Sequence, residues 1–242
     1  MRLLITIPSL IDLKKDIITI FVQLNEWFSA NSLCLNCEKT HSKHFITKSN
    51  SFIDIVVSLK NKLITSTSNS KFLGIVIENS LSWKAHIDQF IPKLCTACYA
   101  ITAIKSFMSL DTLQLVYYSY FHCLINYGII FWGNSSHSIH IFRLQTRVIR
   151  IITGSRTRDS CRELFIKLKI LPLQSLYILS LLLFVLNNKD KYKLNSEFPS
   201  KNSRQNSDLL PATNLTAYPK GTYFGIKICN NLTSDIKNCP TI

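Results

Sequence analysis

Residues 71–87 read Lys-Phe-Leu-Gly-Ile-Val-Ile-Glu-Asn-Ser-Leu-Ser-Trp-Lys-Ala-His-Ile. The fold turns on this stretch. Its first half is a short apolar run rich in β-branched residues, as expected of a strand. Past Trp83 the apolar residues recur at helical spacing: Ile87, Phe90, Ile91, Leu94, Cys98, Ile101, Ile104 and Met108 form one stripe. Strand signals lie upstream and helix signals downstream, so the sequence predicts an α+β chain.

Upstream, Leu13, Ile17, Ile20, Phe21, Leu24, Trp27 and Phe28 predict an amphipathic helix over residues 10–30. Ser9-Leu-Ile-Asp12 supplies a capping pattern at its start, and Asn31-Ser32 ends it. Runs at 44–47, 52–57, 63–65 and 72–77 then predict three or four short strands of a small antiparallel sheet. Downstream, Leu113, Val116, Tyr117, Tyr120 and Leu124 trace a second helix, apolar nearly all round and so expected to be buried. Residues 133–138 read as a loop. A helix over 138–153 stops at Gly154, and Ser160-Cys-Arg-Glu163 opens a short one ending near Lys169. Pro172 fits the first turn of a helix running to about Leu186. Residues 187–221 are polar and aperiodic, a mobile linker by composition, and 223–232 a last helix or strand. The division expected is 1–82, 83–188 and 189–242.

Charge narrows the partners. The chain has 28 Lys+Arg against 14 Asp+Glu, a net +14, which attracts nucleic acid first and anionic membrane second. The densest basic patch is in the helical part. Arg143, Arg147 and Arg150 fall at i, i+4 and i+7 on one helical face, with Leu144, Val148 and Ile151 expected inward. Arg156, Arg158 and Arg162 follow, then Lys167 and Lys169, against Asp159 and Glu163. Such a row suits phosphates, and a solvated basic face has the same pattern.

Eight cysteines without a secretory signal point to a reduced, intracellular setting, in cytoplasm or nucleus. The sequons at Asn134, Asn214 and Asn231 are then chance matches. Cys34-x-x-Cys37 and Cys95-x-x-Cys98 stand 57 residues apart, against roughly 15–20 in zinc ribbons, so no metal site is expected, with or without His137 and His140. Residues 170–186 are apolar but interrupted by Pro172, Gln174 and Ser175. They fall short of the roughly 20 residues that span a bilayer, so no membrane partner is expected. Before residue 90 the carboxylates are Asp12, Asp16, Glu26, Glu38, Asp54, Glu78 and Asp88, none paired as a metal cradle.

One resemblance organises these features. Residues 24–40, ending Asn31-Ser-Leu-Cys-Leu-Asn-Cys-Glu-Lys-Thr40, and residues 71–87 resemble, in this order, the back half of a reverse transcriptase palm. The family is that of jockey-like non-LTR retrotransposons. Tyr117-Tyr118-Ser-Tyr120, Asn126-Tyr-Gly128, Trp132-Gly133, Leu144-Gln-x-x-x-Ile149-Arg150-Ile-Ile-Thr-Gly154 and Ser160-Cys-Arg-Glu-Leu-Phe165 resemble its thumb and extension. Arg204-Gln-Asn-Ser-Asp208 and Tyr223-Phe-Gly-Ile-Lys227 resemble its tail. In that family an aromatic-Ala-Asp-Asp block precedes the first segment, and Met1 falls about where it ends. No Asp-Asp pair occurs in this chain.

The resemblance implies a partial palm followed by an all-α thumb-like region. It implies Lys39 as a nucleotide-side general acid, with Asn36 shaping its turn. Phe72, Leu73 and Gly74 would be a primer grip, and the Arg143–Arg162 surface would hold an RNA or DNA template-primer. The intact family uses Mg²⁺. This chain is expected to bind none and to be catalytically dead. The alternatives are a domesticated nucleic-acid-binding or interaction module and, more weakly, a membrane-associated basic protein built on residues 170–186. The sequence does not indicate an oligomeric state.

Overall fold

Helix α1 (Leu10–Ala30) occupies the span its periodicity predicts. It closes at Ser32, whose φ of 54° is left-handed, while the Leu33 N–H reaches back to the Phe28 carbonyl at 2.8 Å. That long back-bond beside a left-handed residue is a Schellman closure. Trp27, expected on the inward stripe, is 52% exposed and rests edge-on against the Phe28 ring.

The computed structural model describes residues 10–34, 36, 40–43, 45, 57–59, 62–193, 208–209 and 220–232. These form a mixed α+β chain, mostly helical, in two compact units, Met1–Ala85 and His86–Ile242. Ser9, the 44–47 run except Phe45, and the 52–57 run except Val57 lie outside the described residues.

The first unit holds two small sheets. Strands β1 (His41–Ser42), β2 (Val57–Leu59) and β3 (Lys62–Ser66) pair in the order β1-β3-β2, with β1 parallel to β3 and β2 antiparallel to it. The expected sheet was antiparallel throughout, so the β1–β3 pairing is a correction. A second correction concerns residues 72–77. They are not one strand but the end of β4 (Asn69–Phe72), a turn, and most of β5 (Ile75–Glu78). Phe72 pairs with Ile75 across the two residues Leu73 and Gly74. Both take positive φ, 46° and 81°, the mirror-image turn whose twist matches the flanking strands. Gly74 adopts this without cost, whereas Leu73 gives up about 1–2 kcal/mol to it.

Helix α2 (Lys84–Ile104) follows. Its stripe through Ile87, Phe90, Leu94, Cys98 and Ile101 is buried, as expected, but Met108 lies beyond the helix end and is 46% exposed. The second helix differs from expectation. It is α3 (Leu110–Val116), one π-helical segment (Tyr117–His122) and α4 (Cys123–Asn126). The wider π turn re-phases the helix, so the buried column is Leu113, Tyr117, Phe121 and Ile125. Tyr120 faces solvent, as do Leu115 and Tyr118, so the helix is not buried all round.

Helix α5 (Ile129–Trp132) buries Trp132, whose Nε1 donates to the Tyr127 carbonyl at 3.1 Å. Gly133 after it must be small: an added Cβ would stand 2.6 Å from the Tyr177 ring. Helix α6 (Ser138–Thr153) ends where predicted, with Gly154 at φ 71°. Its inward residues are Ile141, Gln145, Val148, Ile149 and Ile152, whereas Leu144 and Ile151, expected inward, are only half-buried.

Ser160 caps α7 (Cys161–Lys167) by accepting the Arg162 N–H. Helix α8 (Leu173–Asn187) begins just after Pro172. It buries Leu173, Leu176, Tyr177, Leu181 and Val185, and leaves Leu179, Leu183 and Phe184 about 40–47% exposed. Helix α9 (Lys220–Asn230) packs on it at Gly225, where an added Cβ would lie 3.0 Å from Val185. The 187–221 stretch is not wholly a free linker. Lys189–Lys191 form a 3-10 turn, and Leu209 is buried against Val185, Ile226 and Cys229. The Asn230 side chain holds both the N–H and the carbonyl of Leu209, at 3.0 and 2.9 Å.

Candidate nucleic-acid interface

The first candidate element is the β4–β5 hairpin. Leu73 at its tip is 70% exposed and Phe72 is 37% exposed. A lysine that sequence reasoning missed fixes the hairpin: Lys43 Nζ donates to the Ser68 carbonyl at 3.0 Å, to Ser70 Oγ at 3.4 Å and to the Ile77 carbonyl. One ammonium thus ties the segment after β1 to both hairpin strands. Burial pushes the Lys43 amine below the usual lysine range, and the Glu78 carboxylate acts in the opposite direction.

Glu78 has a second task. Its Oε1 accepts the Ala85 N–H at 2.9 Å and its Oε2 the Lys84 N–H at 3.1 Å. A carboxylate on these first-turn donors satisfies orphan N–H groups and suits the helix dipole. Nothing in the local sequence announces it, because the contact spans six and seven residues around a turn. Of the palm-like candidates, Lys39 lies outside the described residues. The Asn36 carbonyl accepts Thr40 Oγ1 at 2.7 Å.

The second candidate element is the α6–α7 surface, in the other unit. Arg143 and Arg147 stand on the solvent side of α6, opposite its buried stripe, and are exposed, as are Arg156, Arg158 and Arg162. Arg150 is different. It is half-buried, and its guanidinium donates to the Asp159 carbonyl at 3.0 Å. The Asp159 carboxylate in turn accepts the Arg156 N–H at 2.8 Å. Arg150 and Asp159 therefore shape the loop that presents Arg156 and Arg158.

Helix α7 is held along α6 by the Phe142 and Phe165 rings, stacked 6.3 Å apart, and by Cys161 Sγ, which donates to the Thr146 carbonyl at 3.8 Å. This sets Cys161, the neighbour of Arg162 in sequence, against the α6 backbone at Thr146. Five exposed guanidiniums thus lie on α6, α7 and the loop between them, a stretch whose acids are Asp159, which accepts the Arg156 N–H, and Glu163.

Behind this surface stands a side chain whose role its local sequence does not reveal. Gln145 is fully buried. Its Nε2 donates to Tyr117 Oη and to the Leu171 carbonyl, both at 3.0 Å, and its Oε1 accepts the Leu173 N–H at 2.9 Å. It therefore caps α8, which has no cap of its own. Burial pushes the Tyr117 phenol well up, with the Gln145 contact opposing the shift. Gln114 Nε2 and Tyr118 Oη hold the carbonyls of Leu168 and Lys169, at 3.1 and 3.0 Å. Three donors from two helices thus pin the α7–α8 turn.

Among the described residues, the carboxylates before residue 90 are spread over α1, β5 and α2. Glu78 caps a helix, and Asp16, Glu26 and Asp88 are exposed on helices α1 and α2. Among the described residues no group of three or more His, Cys, Asp or Glu stands together. Cys95 is exposed and Cys98 buried, its thiol pushed up to about 11 by burial and by Cys95, with Arg147 acting the other way; Cys37 lies outside the described residues. Among the described residues no helix is long and apolar enough to cross a membrane.

No family model, curated protein or solved structure matches this chain.

Proposed function

We propose that this chain is related to the back half of a jockey-like reverse transcriptase palm and its thumb, and binds a template-primer without extending it. In this reading the first unit corresponds to part of the palm and the helices to a thumb-like region, working inside the cell. The observation that carries it is the α6–α7 surface, with five exposed arginines and the one nearby carboxylate that is engaged directed to a backbone N–H. Guanidiniums spaced along a helix and its following loop can each meet a phosphate, releasing counterions as they do so.

In the palm-like part, Leu73 and Phe72, exposed at the tip of the hairpin that Lys43 ties together, would press on a primer end in this reading. Lys39 takes the nucleotide-side proton donor's role only by resemblance. Primer extension needs charge neutralised on the attacking and leaving oxygens, and the chain has no Asp-Asp pair for it.

The test is binding and extension on one substrate, a primed RNA template with Mg²⁺ and nucleotides. Binding without extension is expected. Robust extension would overturn the inactivity, and absence of binding would overturn the reading itself.

A further inference from the structure

The ends of two helices meet at one edge of the arginine surface. Lys105 Nζ lies 3.7 Å from the point a Cβ would take on Gly154. The turn after α2 therefore sits beside the C-terminus of α6, where the loop bearing Arg156 and Arg158 begins. Two residues beyond Lys105, Phe107 is 84% exposed, the most exposed of the large apolar side chains among the described residues. Its position is set on both sides. The Phe107 N–H donates to the Ile104 carbonyl at 3.0 Å, and Ser109 Oγ caps α3 by accepting the Thr112 N–H at 3.3 Å.

The surroundings are predominantly basic. No acid occurs between Asp88 and Asp111, nor from Ser138 to Arg158, and the Asp159 carboxylate is bonded to the Arg156 N–H. An unshielded aromatic ring on a capped turn, two residues from Lys105 and four from the exposed Asp111, with Arg156 and Arg158 on the loop that Lys105 approaches, matches a ligand that offers flat π faces and phosphates together.

Resting on the polyanion reading above, we infer that Phe107 is a stacking platform for an unpaired base, with the adjoining phosphates on Lys105, Arg156 and Arg158. A base-paired duplex offers no free face for this ring. The site therefore selects single-stranded or frayed nucleic acid, while Arg143 and Arg147 serve either form.

The experiment compares full-length wild type, Phe107→Ala, Phe107→Trp and Lys105→Ala on three probes: a single strand carrying 2-aminopurine, the matching blunt duplex, and phosphatidylserine vesicles. Phe107→Ala is expected to lower single-strand affinity about tenfold and to abolish the change in 2-aminopurine fluorescence, leaving duplex affinity unaltered. Phe107→Trp should retain both single-strand signals. Lys105→Ala should lower the salt slope by about one. Phe107 is exposed, so an unchanged thermal midpoint shows that the fold is kept. Wild-type single-strand affinity in Phe107→Ala, or a loss seen on vesicles alone, would overturn the platform while leaving a duplex-binding arginine surface in place. Failure of the wild type on both nucleic acids would instead overturn the polyanion reading, and the platform with it.

Discussion

Helices α6 and α8 are nearly equal in length, 16 and 15 residues, and belong to the same unit, yet they present opposite faces to solvent. Helix α6 sets a buried stripe against a face that carries the exposed Arg143 and Arg147. Helix α8 is apolar on every side, so burial falls on the residues that α5 and α9 cover, and Leu179, Leu183 and Phe184 stay exposed. Where charge is patterned, sequence decides which face is inside and what the outside can bind. Where it is not, neighbouring elements decide.

The link between the two helices is the most sensitive place to break this contrast. Gln145→Ala leaves the Leu173 N–H, the Leu171 carbonyl and the Tyr117 hydroxyl without their buried partner, at about 1–3 kcal/mol for each unmade bond. A loss of about 4 kcal/mol in urea unfolding is expected, and a loss below about 1 kcal/mol would mean that the amide does not organise the α8 start. Within α8, Leu181→Ala should cost about 3 kcal/mol, because Leu181 is buried under α9. Leu183→Ala, two residues on, should stay within about 0.5 kcal/mol. Equal costs at the two positions would put the buried face elsewhere.

The smallest effect expected is on pH. Burial holds the His86 and His122 imidazoles below their usual 6.5, Lys93 adding to the effect at His86. Unfolding lets both titrate normally, so below 6.5 the unfolded chain binds more protons than the folded one. Stability should be complete above that value and fall as the pH drops through it toward the lowered values. Unfolding midpoints across mildly acidic pH measure this, and replacing both histidines with Phe should flatten the dependence.

The elements read most clearly from sequence are those with a pattern and a stop. Helix α1 over residues 10–30 and helix α6 up to Gly154 fall where periodicity and end signals put them. The Phe72–Ile77 run misleads because Leu73 takes a left-handed φ that its side chain disfavours, so no turn dipeptide marks the hairpin. The helix after Ser109 misleads because a π turn shifts its buried column to Leu113, Tyr117, Phe121 and Ile125.

In the candidate interface, the exposed arginines were legible from spacing, but their unequal roles were not. Arg150 is committed to the Asp159 carbonyl nine residues away, and Lys43 meets Ile77 across 34 residues. Such contacts exist only once the chain has folded.

The central claim is that the α6–α7 arginines form a polyanion surface. Its most direct measurement is the salt dependence of affinity for a primed RNA template, wild type against the Arg143→Ala, Arg147→Ala double variant. Contact with four or five phosphates predicts a wild-type slope of log K against log salt near about −4, reduced by about two in the variant. The fold should be untouched, since both side chains are exposed. A wild-type affinity indifferent to salt, or a variant with the same slope and affinity, would contradict the account.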